Sequence, residues 1–302
     1  MSPASQLPAT DAVQADFRDD HFISATDLAQ QLSGGQPPVL LDVRFQPGLA
    51  DPEAEYDAGH LPGAHYVHLA TVLADAGTHR PASDGALPLP ELDTLQHALR
   101  GYGINDDSRI VVYDNRHGLS AARAWWVLRW AGLTDVKVLD GGYGHWLRQG
   151  LSTSISRPHP HPGTITLEPF GPSGKGHLPT LSTADAAVFS SSGVLIDARE
   201  AGHFSASPDG PATHIPGAHS APSSTDLDHN GLLLPAEVLR AQAADAGLTT
   251  GATVGTYCGA GVLAAHKVLT LATLGLDASL YVGSWSAWSA AASAEPAPTA
   301  GK

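Results

Sequence analysis

Two hydrophobic periods alternate along this chain. Short, nearly unbroken apolar runs, VLLDV (39–43), RIVVYD (109–114), VLIDA (194–198) and TVGTYC (253–258), read as strands covered on both faces. RIVVYD and TVGTYC are each followed by apolar positions at helical spacing. These are Ala124, Val127, Leu128 and Ala131 after the first, and Val262, Ala265, Val268, Leu269 and Ala272 after the second. KVLDGG (137–142) and ASLYVG (278–283) read as further strands. Ser24 and Ser182 each stand three residues before an aspartate, Asp27 and Asp185, and predict helix N-caps. Strand and helix in this alternation predict an α/β fold with mostly parallel sheets flanked by helices. In such sheets, function gathers at the carboxyl ends of the strands.

The pattern is written twice. PVLLDVR (38–44) pairs with GVLIDAR (193–199), and GHLPGAHYV (59–67) with THIPGAHSA (213–221). IVVYDNRHGLSAARAWWVL (110–128) parallels TVGTYCGAGVLAAHKVL (253–269), and DGGYGHW (140–146) parallels VGSWSAW (282–288). Order is kept and the spacing between twins drifts slowly, as in two duplicated domains with loops of unequal length. The expected layout is a polar tail over 1–19 and a first domain over 20–150. A Pro/Gly/Ser-rich linker over 151–176, a second domain over 177–295 and a tail over 296–302 follow.

Composition narrows the function. A formal charge of −14 argues against nucleic acid or an anionic membrane as partner. A single cysteine excludes an intrachain disulfide framework and a cysteine-built zinc cage. The start, MSPASQLPATDAVQADF, has neither a basic n-region nor an apolar h-region. No apolar run approaches the roughly 20 residues of a membrane span. The expected setting is the cytoplasm, and the oligomeric state is left open.

That one cysteine, Cys258, falls where a central strand gives way to a helix. Gly259, Ala260 and Gly261 separate the two. Glycines let successive N–H groups turn toward one atom, and a helix start adds partial positive charge. Both favour an anion at the centre of the loop, whether a thiolate, a bound oxyanion or a sulfur carried on the cysteine. The matching place in the first half holds Asp114.

Paired DxR and H(L/I)PGA motifs, the strand-end CGAGV loop and the GSWxxW stretch together resemble the two-domain rhodanese family of sulfurtransferases. The resemblance spans about residue 21 to 290. It implies tandem rhodanese-like domains, the first catalytically silent because Asp114 replaces the cysteine. It implies that Cys258 is the nucleophile and carries a persulfide between a small sulfur donor, 3-mercaptopyruvate or thiosulfate, and an acceptor such as cyanide or a thiol. Gly259, Ala260, Gly261, Val262 and Leu263 would cradle the sulfur, and Arg199 of the DAR motif would hold the donor's anionic group. No metal and no organic cofactor is implied. The loop is nearer the CGSGV form linked to mercaptopyruvate than the basic CRKGV form linked to thiosulfate, but Ala260 stands where the serine belongs. His203 stands where the family has a second arginine. His65, His68, His79 and Asp84 give no convincing match to the acidic and histidine partners of that serine.

Other readings remain at this point. A cysteine-dependent phosphatase uses a similar loop but needs an arginine six residues on, where Ala264 stands. A sulfur carrier or redox-responsive protein would modify Cys258 without turnover. Arg199 has a plain alternative role, pairing with a neighbouring carboxylate. His60 and His214, present in both halves, are expected to orient turns.

Overall fold

The computed structural model describes residues 16–46, 48, 51–77, 80–168, 176–205, 213–248 and 251–294. Two parallel sheets carry the fold. The first holds β1 (Phe22–Ile23), β2 (Val39–Asp42), β3 (Ala64–Tyr66), β4 (Ile110–Tyr113) and β5 (Val136–Leu139). The second holds β6 (Thr180–Leu181), β7 (Val194–Asp197), β8 (His219–Ser220), β9 (Val254–Tyr257) and β10 (Ala278–Tyr281). Their strand orders, β1-β5-β4-β2-β3 and β6-β10-β9-β7-β8, are the same order used twice. The apolar runs form the inner strands. The edge strands β1, β6 and β8, of two residues each, are too short to leave a period in the sequence. β5 stops at Leu139 because Gly141 and Gly142 turn into left-handed backbone, with φ of +76° and +59°.

Ser24 and Ser182 cap their helices by accepting the backbone N–H of Asp27 and Asp185, and at Ser182 the aspartate side chain closes a capping box. Two helices, Ala121–Trp130 and Leu263–Thr273, follow the central strands β4 and β9. Each is buried nearly all round, polar residues such as Arg123, His266 and Lys267 included. They pack against each other, and one apolar cluster runs through both, from Trp126 and Val127 to Val268 and Leu269.

Two segments differ from the layout read off the sequence. Residues 16–19 are not a tail: Arg18–His21 forms a helical turn, the Phe17 N–H donates to Thr273 O at 2.9 Å, and the Phe17 ring lies against Gly275. The linker is extended but pinned. Ser154 bridges to His60, Arg157 pairs with Asp57 at 2.7 Å, and Ile165 and Leu167 are buried. Residues 1–15, 169–175 and 295–302, which include the expected C-terminal tail, lie outside the described residues, as does His79.

Candidate active site

Asp114 and Cys258 occupy the same place in the two halves, one residue beyond the central strand. Around Asp114 the loop closes completely. Its carboxylate accepts the backbone N–H groups of Arg116 (2.7 Å), Gly118 (2.9 Å), Ser120 (2.6 Å) and Ala121 (2.8 Å). Four convergent N–H groups at a helix start form an anion cradle, and here the anion is part of the chain.

Around Cys258 the same kind of loop holds a thiol. The Gly261 N–H donates to Sγ at 3.1 Å. Gly261 has φ +76°, and a Cβ there would come within 2.9 Å of Val282 O, so only glycine fits. The helix Leu263–Thr273 begins without a side-chain cap. Its first turn is held from behind: Ser223 Oγ donates to Leu263 O at 2.7 Å, and Lys267 Nζ reaches the buried Asp226 carboxylate at 2.6 Å. The thiol is only 2 % exposed, yet it forms part of the wall of a cavity of about 200 Å³. Phe45 and Arg116 of the first half complete that wall with Gly259, Ala260, Val262 and Leu263.

Ser284 is a site residue that sequence reasoning missed. Its Oγ accepts the Cys258 N–H at 3.2 Å and donates to Tyr281 O at 2.8 Å. It does so from left-handed backbone, φ +52°, a region that glycine occupies at the twin position, Gly142. Next to it, the Trp285 N–H donates to Cys258 O at 2.9 Å, as the Tyr143 N–H donates to Asp114 O at 2.7 Å.

Comparison with known proteins joins these observations. A family profile for the rhodanese-like domain matches residues 24–149 and 181–291. The chain belongs to the rhodanese family. SseB of Mycobacterium tuberculosis, whose name assigns it thiosulfate sulfur transfer, is 40% identical over 89% of this chain and 93% of its own length. The 3-mercaptopyruvate sulfurtransferase of Escherichia coli is 33% identical over 90% of this chain and 95% of its own. The crystal structure of Escherichia coli SseA, a 3-mercaptopyruvate enzyme by its description, superposes with a TM-score of 0.74 at 31% identity, covering 87% of this chain and 98% of that one.

Within this tandem rhodanese fold, the residues expected at the site separate into two groups. Cys258, Gly259, Ala260, Val262 and Leu263 line one cavity, and Gly261 reaches it only through its N–H on the Cys258 sulfur. Arg199 is not among its lining residues. Its Nε and Nη2 reach Asp197 at 2.9 and 2.6 Å, Nη2 also donates to Thr213 O at 2.6 Å, and the guanidinium stacks 4.9 Å above Trp285. Burial opposes its charge, but Asp197 more than offsets that, so Arg199 is held above its ordinary value. Arg44 does the same in the first half, on Asp42 at 3.0 Å and over Tyr143 at 4.5 Å. The Asp–Arg pairing is therefore common to both halves, with and without the cysteine.

His214 and His60 bond the carbonyls of Phe204 (2.9 Å) and Tyr56 (2.8 Å) and stack on the same residues' rings. His203 is exposed on the turn Ala201–Phe204. Burial lowers the pKa of His65, which lies against Tyr102, and His68 is exposed with Nδ1 on Thr71. Asp84 pairs with Arg80 at 3.6 Å. None of these four lines the Cys258 cavity.

Proposed function

We propose that this rhodanese-family chain is a sulfurtransferase that carries a sulfane sulfur on Cys258 and takes it by preference from thiosulfate. The observation that supports this is the contrast between twin loops. One cradle is filled by the Asp114 carboxylate, and the other presents a thiol to a cavity. A persulfide on Cys258 would place its terminal anionic sulfur where backbone N–H groups and the helix start favour negative charge.

The chemistry balances without an external oxidant. The Cys258 thiolate attacks the outer sulfur of thiosulfate, the donor S–S bond breaks, and sulfite leaves with the electron pair. The product is Cys258–S–S⁻. A thiol or cyanide then attacks the terminal sulfur and Cys258 departs as thiolate.

The walls bear on the donor. Mercaptopyruvate must leave as pyruvate, whose departing carbon takes up a proton. Among the described residues lining the cavity, Ala260 and its neighbours include no hydroxyl, carboxyl or imidazole to supply it. Sulfite leaves without a proton. An anionic donor also needs a cation, and Arg116 is the one cationic side chain among the described lining residues. We therefore assign it, rather than Arg199, to the donor's oxygens.

Steady-state kinetics test this reading. The kcat/KM for thiosulfate exceeds that for 3-mercaptopyruvate, and Arg116→Gln raises the thiosulfate KM about tenfold, the scale of one charge-assisted hydrogen bond. A higher kcat/KM for mercaptopyruvate, or an unchanged KM in Arg116→Gln, contradicts the donor assignment.

A further inference from the structure

Arg123 sits in the helix Ala121–Trp130 of the silent half and is fully buried, with 0% exposure. Its Nη2 donates to the carbonyls of Leu87 at 3.0 Å and Leu73 at 3.4 Å. Its Nη1 points across the domain boundary to Gly261 O at 3.5 Å. A Cβ added at Gly261 would come within 3.1 Å of the same Nη1. Nε is buried with no partner among the described residues, and no carboxylate there lies within ion-pair distance of the guanidinium. Carbonyl oxygens solvate a cation without neutralising it. The corresponding helix of the second half shows the usual arrangement: its buried cation, Lys267, is matched by Asp226 at 2.6 Å.

A buried, unmatched charge is unfavourable unless an anion comes near it. The group beside Arg123 that becomes anionic is the sulfur on Cys258. We propose that Arg123 is a positioning residue for sulfur transfer: the silent half supplies a buried cation that holds Gly261, and with it the cradle N–H, and that acts as counter-ion to the thiolate and persulfide of Cys258. This rests on Cys258 being the sulfur carrier. Burial lowers the Arg123 pKa to about 10, with the charge of Cys258 acting in the opposite direction, so the guanidinium remains cationic at neutral pH. The catalytic loop has no basic residue of its own, and Arg123 provides from beneath the positive charge that the loop lacks.

Single-turnover sulfur loading from thiosulfate tests the proposal in Arg123→Met and Arg123→Lys, with far-ultraviolet circular dichroism to establish folding. The expected result is a loading rate in Arg123→Met reduced about 100-fold, the scale of one lost oxyanion-type contact, at a donor KM within about twofold. Arg123→Lys recovers most of the rate. Wild-type loading in folded Arg123→Met, or equal loss in both variants, overturns the proposal.

If neither variant folds, Cys258→Asp and Cys258→Asn carry the test. A buried cation makes the aspartate variant melt at higher temperature than its neutral isostere at pH 7, and equal or reversed melting temperatures contradict the counter-ion. This second comparison does not depend on turnover. Failure of wild type to load sulfur would overturn the sulfurtransferase reading and leave the charge relation to be judged on its own.

Discussion

A serine at φ +52° pays for its position in backbone strain, and Ser284 shows what is gained. Its hydroxyl satisfies the buried Cys258 N–H, and the twin Gly142 has no hydroxyl to offer. Ser284→Ala keeps the strain and loses the bond, so it should destabilise the protein by about 1–3 kcal/mol. Ser284→Gly relieves the strain and should lie between wild type and Ser284→Ala. Urea denaturation of the three proteins checks that order, and alanine no worse than glycine would contradict it.

Residues of this kind were hard to read from sequence. Cys258 stood out as the one cysteine with an aspartate for a twin, whereas a serine in a turn carries no chemical signal until its φ is known. Resemblance points Arg199 at the donor, while its pairing with Asp197 is legible in the sequence itself. Asp197 and Arg199 are two apart at a strand end, and such residues share a face. Arg116 was not legible, because only the folding of one half against the other brings it to Cys258.

At the scale of elements, the helix Leu263–Thr273 shows most directly what burial imposes. His266 lies on it with 0% exposure and no hydrogen-bond partner for either ring nitrogen among the described residues. Burial, and then the neighbouring Lys267, push its pKa down to about 3 from the ordinary 6.5. The folded state therefore holds His266 neutral, while the unfolded chain takes up a proton below about 6.5. Its contribution is fully present above that pH and is lost as the pH falls toward 3, with a slope of up to about 1.4 kcal/mol per pH unit.

Urea denaturation between pH 7.5 and 5 should show stability falling in wild type. In His266→Leu the fall should be distinctly shallower, and a variant with the wild-type slope would contradict the assignment. The apolar stripes of this helix and of its partner Ala121–Trp130 were legible, whereas the burial of Arg123, His266 and Lys267 on them was not. The pinned linker was not. Its prolines and serines predict an extended connector but not its docking, in which Ile165 and Leu167 are buried and their N–H groups bond Ile104 O and Gln96 of the first half.

Across the whole molecule, duplication supplied both the plan and its own control. The same strand order, DxR pairing and strand-end loop occur twice, so each half serves as a control for the other. At the strand-end loops the halves differ in Cys258 against Asp114 and, beside them, in Ser284 against Gly142. The shared apolar cluster joins the first half to the second, and Phe45, Arg116 and Arg123 bring the first half to the Cys258 loop. No described helix is long and apolar enough to cross a membrane.

The central claim is that sulfur travels on Cys258. Intact-mass measurement after incubation with thiosulfate tests it most directly. Wild type should gain one sulfur atom and lose it again to cyanide, and Cys258→Ser should gain none. Wild type that takes up no sulfur, or Cys258→Ser that takes it up equally well, would contradict the account.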